Sequence, residues 1–322
     1  MMSLLTRVLM AFACVVACAS AQAQGYPARV VHVVYPYSPG GAIELLIRAI
    51  NQRLSEAWGQ PVVIENKPGA AAIIAAEYVA RSAPDGYTLL VTDPALVNNS
   101  FLRSKLPYDP FEDFAPITQL VAMNQVLVVN PSVPVKSIRD LIELAKSKPG
   151  GLTYASFGIG STPHLFMEMF QAAAGIKLYH VPYKGGALAL NDVVAGHVHI
   201  TYGTFGVILP QWKAGKVRML AVDGTRRLAQ YPDVPTVAET LPGFESTSWI
   251  GLHAPAGTPR EAINRIHAET KKIFADPEFR KRNLDLQGLE PVASSPAEFS
   301  EYVRSSALKW REVIREANVK VD

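Results

Sequence analysis

Cysteine is nearly absent from this 322-residue chain. Its two cysteines, Cys14 and Cys18, both fall in the opening stretch, so a mature chain without that stretch has no disulfide framework and no thiol nucleophile. Charged residues are only 18% of the chain, and 31 basic against 28 acidic residues leave a net charge of +3 without any basic block. Nucleic acid is therefore not an expected partner. Beyond the opening stretch no apolar run is long enough to cross a membrane. A short repeat, a low-complexity tract and a Gly/Ser linker are all missing, which argues against solenoids, disordered tails and beads on a string. Gly-x-Ser-x-Gly, His-Glu-x-x-His and Walker patterns are missing too, so no enzyme, metal or cofactor is expected.

What is there begins with the opening stretch. Arg7 is its only charge, and the apolar run from Val8 to Ala19 is followed by small residues up to Ala23. The run is short for a bilayer span but suits a secretory leader, with small-x-small sites ending at Ala21 and Ala23. Cleavage after Ala23 and export to the periplasm are expected, and loss of Arg7 lowers the net charge to +2. Val15-Val-Ala-Cys18 loosely resembles a lipobox, which would instead tether the protein through a lipidated Cys18.

The rest of the chain alternates. The β-branched run Val30–Tyr35 stops at Pro36. After Gly40-Gly41, the spacing of Ile43, Leu46, Ile47, Ile50 and Leu54 is helical. Strands at 61–65 and 87–92 flank an Ala-rich helix over 70–81, the pattern of a parallel sheet covered on both faces. It resumes with strands at 125–130, 152–156, 177–181, 197–202 and 217–222, and helices at 163–174, 187–195 and 205–214. A strand at 247–253 and a helix at 259–274 follow, then a short helix after Asp276 and a strand near 289–292. The last helix starts at the capping box Ser295-Pro-Ala-Glu298. Without a linker, two lobes require the chain to cross between them twice. Gln125–Asn130 and Arg218–Val222 are the candidate crossings, placing 24–124 and 223–322 in one lobe and 125–222 in the other.

Eight ordered motifs then stand out: Tyr35-Pro-Tyr-Ser-Pro-Gly-Gly41, Glu65-Asn-Lys-Pro-Gly-Ala70, Ala83-Pro-Asp-Gly-Tyr-Thr-Leu89, the segment Leu106–Pro116, Gly158-Ile-Gly-Ser-Thr-Pro-His164, His180-Val-Pro-Tyr-Lys-Gly-Gly186, Asp233–Glu239 and Ala254–Pro259. In this order, behind a leader, they resemble the substrate-binding receptors of tripartite tricarboxylate transporters, the Bug family. The resemblance covers essentially the whole mature chain. It implies an α/β, two-lobed periplasmic-binding-protein (flytrap) fold with two chain crossings. It also implies a monomer that hands carboxylates to a large and a small membrane subunit. A sensory receptor serving a membrane kinase, and an enzyme holding a nucleotide at the glycine loops, are the alternatives.

Three glycine-bearing loops that each precede a helix are the candidate ligand contacts, since glycine lets backbone N–H groups approach an anion and the helix dipole favours one. In the first loop, Tyr37, Ser38, Pro39, Gly40 and Gly41 are candidates, against the plainer reading of a tight turn. In the second, the N–H groups of Gly160 and Ser161 and the hydroxyls of Ser161 and Thr162 could bind a carboxylate, with Thr162 as helix cap. His164 beside them could be a ligand contact or a packed side chain. In the third, the backbone of Lys184, Gly185 and Gly186 is a better candidate than the Lys184 ammonium, which a loop normally leaves in water. Thr92 and Asp93 close a strand, and Asp93 fits a helix cap better than a cleft carboxylate. Tyr202 and Thr204 are candidate cleft residues, with Tyr37 and Tyr202 as walls. His197 and His199, one residue apart in the expected strand, face the same way but lack a third metal ligand. Two positions depart from the family pattern. Glu44 stands where many members carry Asp, and Gly203 where many carry an acidic residue. The missing acid at Gly203 argues against an amino acid and for a dicarboxylate or an aromatic acid.

Overall fold

Val31, Val33 and Val34 are buried almost completely, and this run forms β1 (Val31–Tyr35). The computed structural model describes residues 25–316 apart from 224–225, 229 and 245–247, so the expected leader and its two cysteines lie outside the described residues. After β1 come α1 (Ala42–Trp58), β2 (Val62–Asn66), α2 (Ile73–Ala80), β3 (Thr88–Thr92), α3 (Ala95–Leu102) and β4 (Phe114–Met123). Next are β5 (Gln125–Val129), α4 (Ile138–Ser147), β6 (Thr153–Ser156), α5 (Thr162–Ala174), β7 (Tyr179–Pro182), α6 (Gly186–Ala195), β8 (Ile200–Thr204), α7 (Phe205–Lys213) and β9 (Arg218–Val222). The chain closes with β10 (Ser248–Pro255), α8 (Arg260–Ala275), α9 (Pro277–Asn283), β11 (Leu289–Pro291) and α10 (Pro296–Glu316).

Two sheets result, one per lobe. The first has the order β11-β4-β10-β3-β1-β2 and the second β7-β6-β8-β5-β9. In each, the βαβ strands run parallel, and the strand that enters from the other lobe, β10 or β5, runs antiparallel to both of its neighbours. Helix α1 shows how sequence builds a layer. Its buried stripe of Ile43, Leu46, Ile47, Ile50 and Leu54 packs with Val31 and Val33 of β1, and Gly59 ends it in a left-handed conformation (φ 64°). The capping box at α10 forms as the sequence indicates, with Ser295 N–H donating to Glu298 Oε2 at 2.8 Å and Glu298 N–H to Ser295 Oγ at 3.3 Å. Between the lobes, Leu102, Leu165, Trp310 and Ile314 form a separate apolar cluster.

The expected crossing segments turn out to be the strands β5 and β9 of the second sheet. The first crossing is the single residue Asn124, between Met123 of β4 and Gln125 of β5. Beyond β9, Leu228 and Val234 pack with Val126 and Val222, and Val237 and Phe244 with Leu127 and Tyr202. The chain thus stays on the second sheet well past residue 223 before it enters β10.

Three local expectations differ. The single helix over 70–81 is broken at its start, because Ala70, Ala71 and Ala72 hold left-handed φ values of 47°, 48° and 75°. That backbone costs about 1–2 kcal/mol per residue, and Asn99 holds it through Nδ2 donating to Ala71 O at 2.8 Å. His197 and His199 precede β8 instead of lying in it, and they do not act together. His199 Nδ1 accepts the Thr153 N–H at 3.0 Å, while His197 is solvent-facing, 3.5 Å from Asp192. Strand β4 has no counterpart in the periodicity reading. It pairs with β10 and β11 and packs against α8 and α10, so most of its ten residues are buried without clean alternation.

Candidate functional site

The lobes enclose a cavity of about 60 Å³, room for roughly four to six waters at the 10–15 Å³ each needs. Its lining draws on the first turns of helices from both lobes. Gly41, Ala42 and Ile43 are the cap and first residues of α1, Thr162 and Pro163 begin α5, Gly186 and Ala187 begin α6, and Thr204 caps α7. First-turn N–H groups have no partner within their helix and carry the positive end of its dipole, Pro163 having no N–H to offer. Among the described residues no lysine, arginine or histidine lines the cavity.

Aromatic rings form one wall. Tyr37 meets Tyr35 and Phe157 edge to face, with centroids 5.8 and 6.2 Å apart. Phe157 lies over Gly186 and Gly203. A Cβ on Gly186 would come within 2.8 Å of its ring, and one on Gly203 within 3.7 Å of it and 3.3 Å of Ile208. The acid-free position at Gly203 therefore makes room for apolar groups. The Tyr37 hydroxyl donates to Asp93 Oδ2 at 2.5 Å, and Asp93 Oδ1 accepts the Ala95 N–H at 2.8 Å. Burial raises the Asp93 carboxyl above its ordinary range, and these two bonds partly offset that rise. Asp93 thus caps α3 and lines the cavity at once.

The lobes are latched at the first loop. Ser38 N–H and Ser38 Oγ both donate to the Lys184 carbonyl, at 3.2 and 3.1 Å, while the Lys184 side chain is exposed. Gly185 packs directly against Ser38, with room for a Cβ only 3.4 Å from its nitrogen. Pro39 is exposed and outside the cavity lining. The Gly40 N–H goes to Glu44 Oε2 at 2.6 Å, and Arg48 holds the other carboxylate oxygen at 2.5 Å. Glu44 therefore ties down its own loop instead of facing the cavity.

In the second loop the expected donors are already spent. Gly158 (φ 123°) and Gly160 (φ 90°) fold the loop back, so that Ser161 N–H and Ser161 Oγ both donate to Gly158 O, at 3.1 and 2.6 Å. Gly160 N–H donates to His164 Nδ1 at 3.2 Å. Neither N–H is free for a carboxylate, and the helix cap is Ser161, with Thr162 as the first helical residue. His164 is a packed side chain: its ring lies 4.4 Å from that of His180, and burial lowers its pKa to about 4, keeping it neutral. Thr162 is different. Its Oγ1 is buried, has no partner among the described residues, and belongs to a cavity-lining residue.

Two further candidates lie outside the site. Thr92 Oγ1 is bonded to His253 Nδ1 at 2.9 Å within the first lobe's core. Tyr202 is no wall: it stacks on Phe166 with centroids 3.5 Å apart, and its hydroxyl donates to Asp223 Oδ2. In β8 the side chains alternate, so the residue flanking Gly203 on the tyrosine side turns to the core. Of the sequence candidates, Tyr37, Ser38, Gly41, Asp93, Thr162, Gly186 and Thr204 line the cavity. Gln125, Ser248 and Ile250, which strand pairing brings in, and Phe157, just after β6, line it as well and carry no local sequence signal. Among the described residues no cluster of three or more potential metal ligands occurs, and no helix is long and apolar enough to cross a membrane.

Comparison with known proteins agrees with this architecture. The family model "Tripartite tricarboxylate transporter family receptor" matches residues 46–319. A protein of the tcbD-tcbE intergenic region of Pseudomonas sp. is 35% identical over 315 residues, covering 96% of this chain and 94% of that one. BugT of Bordetella pertussis is 32% identical over 307 residues, 94% of each. Among solved structures, R. palustris Rpa4515 with adipate superimposes with a TM-score of 0.88 at 34% identity, covering 92% of this chain and 99% of that one. The periplasmic binding protein BugD gives 0.87 at 30%, over 92% and 99%. MatC from Rhodopseudomonas palustris with bound malate gives 0.85 at 30%, over 90% and 100%. The chain belongs to the tripartite tricarboxylate transporter receptor family, the two-lobed solute-binding Bug proteins.

Proposed function

We propose that this protein is a periplasmic receptor that captures a small carboxylate, either a dicarboxylate or an aromatic acid. It would deliver that ligand to the large and small membrane subunits of a tripartite tricarboxylate-type transporter. The observation that carries the proposal is the convergence of helix first turns from both lobes on one cavity that no basic side chain lines among the described residues. Backbone N–H groups and the Thr162 hydroxyl can bind an anion there without a buried counter-charge. The relatives that hold adipate and malate support the ligand class. The apolar wall of Tyr37, Phe157 and Ile208 supports a ligand with an apolar body.

Capture is a hinge closure between two lobes, 25–123 with 248–316 and 125–244. A carboxylate touching both lobes favours the closed state because the open state lacks half of its contacts. The Ser38–Lys184 contact and the Leu102–Leu165–Trp310 cluster belong to that closed state. Titration calorimetry of the chain without residues 1–23, against a panel containing adipate, malate, benzoate, sugars and divalent cations, tests the proposal. Binding of at least one carboxylate supports it. Binding of a sugar or a cation with none of any carboxylate overturns it.

A further inference from the structure

Three buried oxygens on cavity-lining residues have no partner among the described residues: Gln125 Oε1, Thr162 Oγ1 and Ser248 Oγ, on residues 2%, 3% and 2% exposed. Thr162 stands at a helix start, where it suits a carboxylate. The other two stand elsewhere, at the crossing between the sheets. Ser248 opens β10 and pairs with Met123; Gln125, two residues further on, opens β5 and pairs with Thr204. The main chain of Gln125 is fully engaged, its N–H donating to Asp223 Oδ1 at 2.7 Å and its carbonyl accepting the Asp223 N–H at 2.9 Å. Only its side chain is left to meet a ligand.

The chemistry of this pair differs from that of the helix ends. A carboxylate can take the Gln125 side-chain N–H groups but leaves Oε1, which only accepts, without a partner. The group that fits both donates one hydrogen bond, to Gln125 Oε1, and accepts one, from the Ser248 hydroxyl. A hydroxyl does both and is neutral. An ammonium would be desolvated against two neutral oxygens, and the only acid lining the cavity among the described residues, Asp93, already has both oxygens engaged by Tyr37 and Ala95.

We infer that the crossing end of the cavity is a hydroxyl-reading subsite, and that the ligand is a hydroxylated carboxylate read by Gln125 and Ser248. This rests on the carboxylate function proposed above and narrows it. Calorimetric titration of the leaderless protein with pairs differing by one hydroxyl tests it: succinate against malate, and benzoate against its hydroxybenzoates. Aspartate serves as the amine counterpart of malate. The expected result is that the hydroxylated member of at least one pair binds about tenfold tighter or more. Gln125→Met and Ser248→Ala should each bring that ratio towards one. Thermal melts establish that the variants fold, and if either does not, the wild-type ratios still decide. Equal affinity within every pair, or preference for aspartate over malate, overturns the inference while leaving the carboxylate proposal standing. Failure of every carboxylate to bind overturns that proposal, and the subsite with it.

Discussion

Replacing Asp223 by asparagine isolates the electrostatics of the crossing. Asp223 follows β9, is 2% exposed, and bridges the two strands nearest the crossing. Its Oδ1 accepts the Gln125 N–H at 2.7 Å and its Oδ2 accepts the Tyr202 hydroxyl. Burial raises its pKa from 3.8 to about 7, against the opposing pull of those hydrogen bonds. Because the folded state keeps this proton to a higher pH than the unfolded state, its stabilising contribution is complete below about 3.8 and is lost as pH rises to about 7. At about 1.4 kcal/mol per pH unit, the full loss is roughly 4 kcal/mol. Asparagine can keep both bonds, accepting from Gln125 and donating to the tyrosine oxygen, but it does not titrate. Equilibrium unfolding in urea, at a series of pH values from about 4 to about 8, should therefore show wild type losing stability relative to Asp223→Asn by roughly 4 kcal/mol, with a plateau above about pH 7. Parallel profiles for the two proteins would refute the reasoning, because the carboxyl would then have the same pKa in both states.

Gly160→Ala should weaken ligand binding about tenfold or more and cost about 1–3 kcal/mol of stability. The residue has φ 90°, and the new Cβ would lie 2.9 Å from Asn99 Oδ1 and 3.3 Å from Leu102, both on the opposite lobe; unchanged affinity by calorimetry would contradict this. The His164–His180 pair should stay neutral well into acid, since burial lowers both pKa values to about 4 and their mutual repulsion adds to this at His180. Stability is then lost as pH falls from about 6.5 towards 4, where the unfolded histidines take up protons first. Histidine NMR titration checks it, and midpoints near 6.5 would exclude it.

Much of the fold was legible because its signals are local. The stripe from Ile43 to Leu54 and the box Ser295–Glu298 involve residues within a few positions of each other, and each forms as its pattern indicates. The glycine loops were likewise legible as places. Their chemistry was not, because the turns that glycine permits also let Ser161 and Gly160 satisfy their N–H groups inside the loop. Nothing local distinguishes an N–H spent on Gly158 from one offered to a ligand.

The sequence by itself determined the alternation of strands and helices, the three helix starts that border the cleft, and the family resemblance carried by its ordered motifs. Only the tertiary structure decided which groups face the cavity. Tyr202 went to the core because β8 is packed on both faces, with Phe166 and Asp223 ready to take its ring and hydroxyl. Gln125 and Ser248, far apart in the chain, both reach the cavity because Ser248 pairs with Met123, two residues before Gln125, at the end of β4. Such pairings are settled by burial and strand register over long separations, which short-range periodicity does not encode.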